Sequence, residues 1–149
     1  MNDNQFETKW TSLITRYLKD YGSFEYIDIS KSIEKVITSC FDQVQRVQKY
    51  GIYVIRQKND HKVLYIGKGG TIKQDGKFKK QDIPKRLKNT RGKISCEKWF
   101  STLFNEKGPL IIEYIFLETK PESPALVEAL LVQEYLNEYG CLPCKNSGF

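Results

Sequence analysis

The chain has one histidine (His61), one methionine and four cysteines in 149 residues. A lone histidine excludes mechanisms that need a histidine pair. No apolar run approaches the roughly 20 residues that a membrane-spanning helix requires. The N-terminus, MNDNQFETKW, lacks a basic region leading into an apolar stretch, so no secretory signal is expected. Cys40, Cys96, Cys141 and Cys144 suggest reduced thiols and a cytoplasmic location rather than a disulfide framework. Cys141 and Cys144 form a CxxC, but no second pair exists to complete a four-ligand zinc site. That CxxC also follows a helical pattern, not the strand that precedes a redox motif. There are no internal repeats and no low-complexity tracts.

What is present is an ordinary globular composition, 40% hydrophobic and 28% charged, with an uneven charge distribution. The net charge is +6. Between Lys68 and Lys93 lie ten lysines and arginines against Asp75 and Asp82, a local +8 that leaves −2 elsewhere. Concentrated positive charge suits a polyanion. It marks Lys73, Lys77, Lys79, Lys80, Lys85, Lys88, Arg91 and Lys93 as candidate nucleic-acid contacts.

Hydrophobic periodicity predicts helices over residues 5–20 and 31–47, the second capped by Ser30. Residues 51–57 and 62–67 read as strands of a hairpin around Lys58-Asn59-Asp60. A short helix follows Asp82 near Pro84, and another covers about 97–104. Leu110–Leu117 reads as a third strand. Ser123-Pro124 opens a last helix that Gly140 ends. The fold class is α+β: a small, mainly antiparallel three-stranded sheet flanked by helices. Residues 1–48 form an N-terminal helical extension packed on a core of 49–149.

Inside the hairpin stand two tripeptides, Gly51-Ile52-Tyr53 and Tyr65-Ile66-Gly67, 11 residues apart. Side chains alternate faces along a strand. A three-residue turn pairs positions whose numbers sum to 118, which sets Tyr53 directly opposite Tyr65. A two-residue turn would send them to opposite faces. The final helix offers two carboxylates, Glu128 and Glu134. On a helical projection Glu134 lies among Val127, Leu130 and Leu131, where a carboxylate is costly unless paired or bound to a cation, but Glu128 falls near Tyr135 and Tyr139, so the projection alone does not choose between them.

The stretch GIYVIRQKNDHKVLYIGKGG resembles the signature of the GIY-YIG nuclease family, over roughly residues 50–146. The resemblance implies a DNA endonuclease that hydrolyses phosphodiester bonds with one Mg²⁺ or Mn²⁺. Arg86 in IPKRL matches the family's arginine, after a loop longer than that of the minimal module. Lys68 matches a lysine found after YIG in UvrC-type members. In EALLVQEYLNEYGCLPCKN, the spacing to Asn146 favours Glu134 as the metal-binding carboxylate. Thr90 stands where some members have a histidine or tyrosine.

The implied site is Tyr53, Tyr65, Lys68, Arg86, Glu134 and Asn146, with the metal on Glu134. Tyr53 would act as general base with Tyr65 as its partner, or the reverse. A free tyrosine ionises near pH 10, so cations must assist it. Only Ser147-Gly148-Phe149 follows Asn146, so no C-terminal DNA-reading domain is expected. Specificity would fall to the N-terminal helices, the lysine-rich loop or a protein partner. The alternative is a non-catalytic nucleic-acid-binding or adaptor protein that keeps the fold.

Overall fold

Every helix starts where a small polar side chain accepts a hydrogen bond from an otherwise free backbone amide. In the computed structural model, which describes residues 4–79 and 81–149, α1 (Gln5–Arg16) begins at Asn4 and α2 (Ile33–Asp42) at Ser32. The short α3 (Ile83–Lys88) is capped by Asp82, α4 (Cys96–Lys107) by Ser95 and α5 (Pro124–Tyr139) by Ser123. Two helices are shorter than their periodicity suggests. After Arg16 the chain tightens into a 3-10 turn at Leu18–Asp20. Ser30 bonds Asp28 instead of capping α2, and Val47 is fully exposed beyond that helix.

The sheet has four strands, not three: β1 (Tyr21–Tyr26), β2 (Gly51–Gln57), β3 (Val63–Gly69) and β4 (Leu110–Phe116). They lie in the order β1-β4-β2-β3, every neighbouring pair antiparallel. The additional strand hides in Tyr21-Gly22-Ser23, which reads as a helix breaker. Gly22 faces Tyr114 across the β1–β4 pair, and a Cβ there would sit 2.3 Å from the tyrosine hydroxyl. The glycine makes room for a ring that lies across it.

Alternation along the strands builds two cores. On one face Tyr53, Ile55, Ile112, Tyr114 and Phe116 pack with α2, α3 and α4 through Ile37, Phe41, Leu87 and Phe100. On the other, Ile52, Val54, Ile66 and Ile115 pack with α1 and α5 through Phe6, Trp10, Leu131 and Tyr135. The first 48 residues thus supply a strand and two helices to the same sheet.

A buried polar network ties α1 down. Arg56 of β2, 5% exposed, bonds Glu113 of β4 through Nε and Glu7 of α1 through both terminal nitrogens, at 2.7 and 2.8 Å. Glu113 also accepts from Trp10 Nε1 at 3.1 Å and Tyr21 Oη at 2.6 Å. Burial alone would raise the Glu113 carboxyl pKa. Hydrogen bonds from Tyr21 and Trp10, with the Arg56 charge, hold it below the usual carboxylate value. Among the described residues, no helix is long and apolar enough to cross a membrane.

Candidate active site at the edge strand of the sheet

β3 is an edge strand, with α3 over one face and α5 over the other. Its register decides where Tyr65 points. The hairpin closes with Gln57 N–H donating to Lys62 O, so its turn is one residue longer than the three-residue turn expected. Such a turn by itself pairs odd sums and would send Tyr65 to the face opposite Tyr53. A β-bulge between Ile55 and Arg56 inserts one more residue, so Ile55 faces Tyr65 and Tyr53 faces Gly67. Tyr53 and Tyr65 therefore share a face as expected, but diagonally, with ring centroids 5.9 Å apart and planes at 32°.

Both glycines of the tripeptides are sterically required. A Cβ on Gly67 would come within 2.6 Å of the Tyr53 ring and 2.6 Å of the Tyr65 ring. A Cβ on Gly51 would meet the carbonyl oxygen of Ile115 at 2.0 Å, where β2 and β4 approach closely. The two tyrosines differ in environment. Tyr53 is 2% exposed, and burial, followed by the Tyr65 phenol, pushes its pKa well above the ordinary tyrosine value. The charges of Arg91 and Arg86 work against that rise. Tyr65 is only partly buried.

Lys68 pairs with Ile52 and so points to the α5 side of the sheet, its Nζ donating to Gly70 O at 3.3 Å. Arg86 is exposed on the last turn of α3. The carboxylate on which these cations act electrostatically is Glu128, although no ion pair joins them among the described residues. Burial raises its pKa, and Lys68 and then Arg86 pull it back down. Glu134 lies elsewhere. Six residues further along α5, it sits about 9 Å up the axis and about 120° round the helix. There it lines a groove with Gln5, Thr8, Lys9 and Ser12 and accepts from Asn137 at 3.2 Å. The structure therefore does not bring Glu134 to the tyrosines. Helix α5 is apolar on most of its circumference, so a projection could not rank the two carboxylates.

Asn146 contacts backbone rather than the cation cluster. It accepts from Ile66 N–H at 3.0 Å and donates to Ile66 O at 2.9 Å, while Lys145 N–H donates to Leu64 O. The tail thus occupies the outer hydrogen-bonding edge of β3 on both sides of Tyr65.

Much of the lysine-rich segment is folded. Ile72 and Phe78 bridge as in a small hairpin, with Lys73 N–H donating to Lys77 O. Phe78 stacks on Tyr50 at 4.2 Å and 20°, pinning this flap beside the start of β2. Lys73, Lys77 and Lys79 are exposed on it; Lys80 lies outside the described residues. Lys73 approaches Asp75 at 3.6 Å, and Lys88 of α3 donates to Thr38 at 3.1 Å. Lys85 and Lys93 are exposed, on α3 and on the turn between Arg91 and Ile94. Arg91 is partly buried, its guanidinium 4.3 Å from the centroid of Trp99. Trp99, which carries no motif, in turn meets the Tyr65 ring edge-on at 6.0 Å.

A broad cleft lies on the α1 side, lined by Glu7, Trp10, Tyr21, Arg56 and Glu113 but by neither Tyr53 nor Tyr65. Glu7, Trp10, Tyr21, Arg56 and Glu113 are paired with one another there, in the network that docks α1. Set against family models, curated proteins and solved structures, the chain gives no match.

Proposed function

We propose that this chain is a GIY-YIG-type endonuclease that hydrolyses DNA phosphodiester bonds beside the edge strand β3. One observation carries the reading. Two tyrosines are held on one face of β2 and β3 around Gly67, under the helix α3 that carries Arg86, and Lys68 and the partly buried Glu128 lie on the α5 side of the same edge strand, where both cations act on that carboxylate electrostatically. Tyr65, the more accessible of the two, first gives its own proton to solvent and then, as the phenolate, takes the proton from the attacking water. The water oxygen forms the new bond to phosphorus as the ester oxygen leaves. Tyr53, sealed and protonated, holds Tyr65 in place. Arg86 grips the phosphate with its fork of donors, and Lys68 adds charge beside it.

The donor set suits a hard divalent cation. Among the described residues no group of three or more His, Cys, Asp or Glu gathers, so the proposed cation would rest on the single carboxylate of Glu128 with water and phosphate oxygens. A magnesium ion content with one carboxylate, waters and phosphate oxygens fits such a site. Bound at Glu128, it would polarise the phosphate and offset developing charge. The basic flap and α3 hold the flanking duplex through its backbone.

The test is cleavage of supercoiled plasmid with Mg²⁺ by wild type, Glu128→Gln, Glu134→Gln and Arg86→Ala. The first and last should lose at least about a hundredfold in rate, whereas Glu134→Gln should stay within about threefold. A wild type that binds DNA in a salt-dependent way yet never cleaves it would support the adaptor reading instead.

A further inference from the structure

Tyr65 sits on an edge strand, partly exposed, and a proton acceptor needs a fixed orientation. Its ring is held between two others. Tyr53 lies 5.9 Å away at 32°, and Trp99 meets it edge-on at 6.0 Å and 76°. Trp99, in the first turn of α4, is covered by the Arg91 guanidinium at 4.3 Å; the same group lies 5.3 Å from Phe100. Arg91 is pinned by its own hydrogen bonds, Nη1 donating to Leu87 O at 3.2 Å and Asn89 O at 2.8 Å. A short bridge with Ile94 holds its backbone.

Among the described residues Arg91 forms no ion pair. A partly buried guanidinium without a carboxylate is expensive, and the aromatic shelf offsets only part of that cost. A cation that must merely be soluble needs neither shelf nor pin; Lys77 and Lys79 on the flap have neither an ion pair nor a stack. The cost is understandable if a negative charge arises next to Arg91 during function.

We propose that Arg91 is a positioning residue of the tyrosine site: stacked on Trp99, it fixes the Tyr65 ring and presents an immobile positive charge to the Tyr53–Tyr65 pair. This role rests on the nuclease reading. The titratable and charged groups that act on Tyr53 are Tyr65 on β3, Arg91 and, on α3, Arg86, and Cys96 on α4 lies near Arg91. Cys96 is buried and donates its S–H to Leu87 O at 3.3 Å, so it brings no charge. Arg91 stands ahead of Arg86 among the charges that counter the burial of Tyr53.

The experiment compares wild type, Arg91→Ala, Arg91→Gln, Arg91→Lys and Trp99→Ala. Plasmid cleavage with Mg²⁺ is followed from pH 6 to pH 9.5, and duplex binding is measured separately in EDTA. Arg91→Ala should keep duplex affinity within about threefold and lose roughly tenfold or more in kcat. Its pH–rate profile should move up by about one unit. Arg91→Gln keeps hydrogen-bonding capacity without charge and should behave alike, so the result does not depend on the alanine variant folding. Trp99→Ala should shift the profile in the same direction. Arg91→Lys should restore part of the rate, having charge without the planar stack. A rate loss matched by an equal loss of affinity, with an unmoved profile, would make Arg91 a simple backbone contact and overturn the role. Unaltered cleavage by both uncharged variants would overturn it too. A wild type that cleaves no DNA with Mg²⁺ or Mn²⁺ would remove the nuclease reading and this role together.

Discussion

Tyr53 and Tyr65 carry the same phenol but sit in different media. Tyr53 is enclosed between β2, α3 and the neighbouring ring, where ionisation is opposed by lost hydration. Tyr65 is only partly buried, so water can reach it. The sequence treats the two as interchangeable; burial does not. Tyr65→Phe should therefore lose about a hundredfold or more in single-turnover cleavage. Tyr53→Phe, which removes a hydroxyl but not the ring, should lose about tenfold. Equal losses, or the reverse order, would return the base role to Tyr53. The same physics separates the carboxylates. Glu128 is partly buried near the cations, and Glu134 sits in the groove between α5 and α1.

At the scale of an element, β3 is the vulnerable piece. An edge strand exposes unpaired amides and carbonyls, yet this one carries Tyr65 and Lys68. The C-terminal tail covers it: Asn146 gives Ile66 both bonds that a neighbouring strand would supply. Asn146→Ala should cost about 1–2 kcal/mol of stability. It should also speed amide exchange at Ile66 and lower cleavage without altering duplex affinity. Unchanged exchange at Ile66 would mean the tail does not hold the strand. The bulge at Ile55/Arg56 matters for the same strand, since it alone corrects the parity set by the longer turn.

For the whole molecule, the Arg56–Glu113–Glu7 network joins α1, β2 and β4 at the heart of the α1 face. The Glu113 carboxyl is depressed in the fold, so its stabilising contribution is complete above the unfolded-state value, about 4.3. It is lost as pH falls through the lower folded value. Urea unfolding at pH 7 and at about pH 3 should show this as acid lability. Glu113→Gln should cost about 3–5 kcal/mol at pH 7 by leaving Arg56 short of its partner, and should flatten the difference between the two pH values. A variant as stable as wild type at pH 7 would refute the assigned weight of the network.

The amino-acid order alone determined most elements, because caps, glycines and hydrophobic period act over a few residues. Ser123-Pro124 and Gly140 bracket α5, Asp82 opens α3, and both hairpin strands lie where alternation places them. It also determined the two tripeptides and the basic stretch after them. Three things were left to the tertiary structure. Tyr21–Tyr26 became a strand because Tyr114 needed the space over Gly22. Glu128 came under the influence of Lys68 and Arg86 because α5 packs against β3. Tyr53 and Tyr65 share a face through a bulge that no local pattern announces. Each depends on contacts between residues far apart in the chain, and these exist only once the sheet has closed its register.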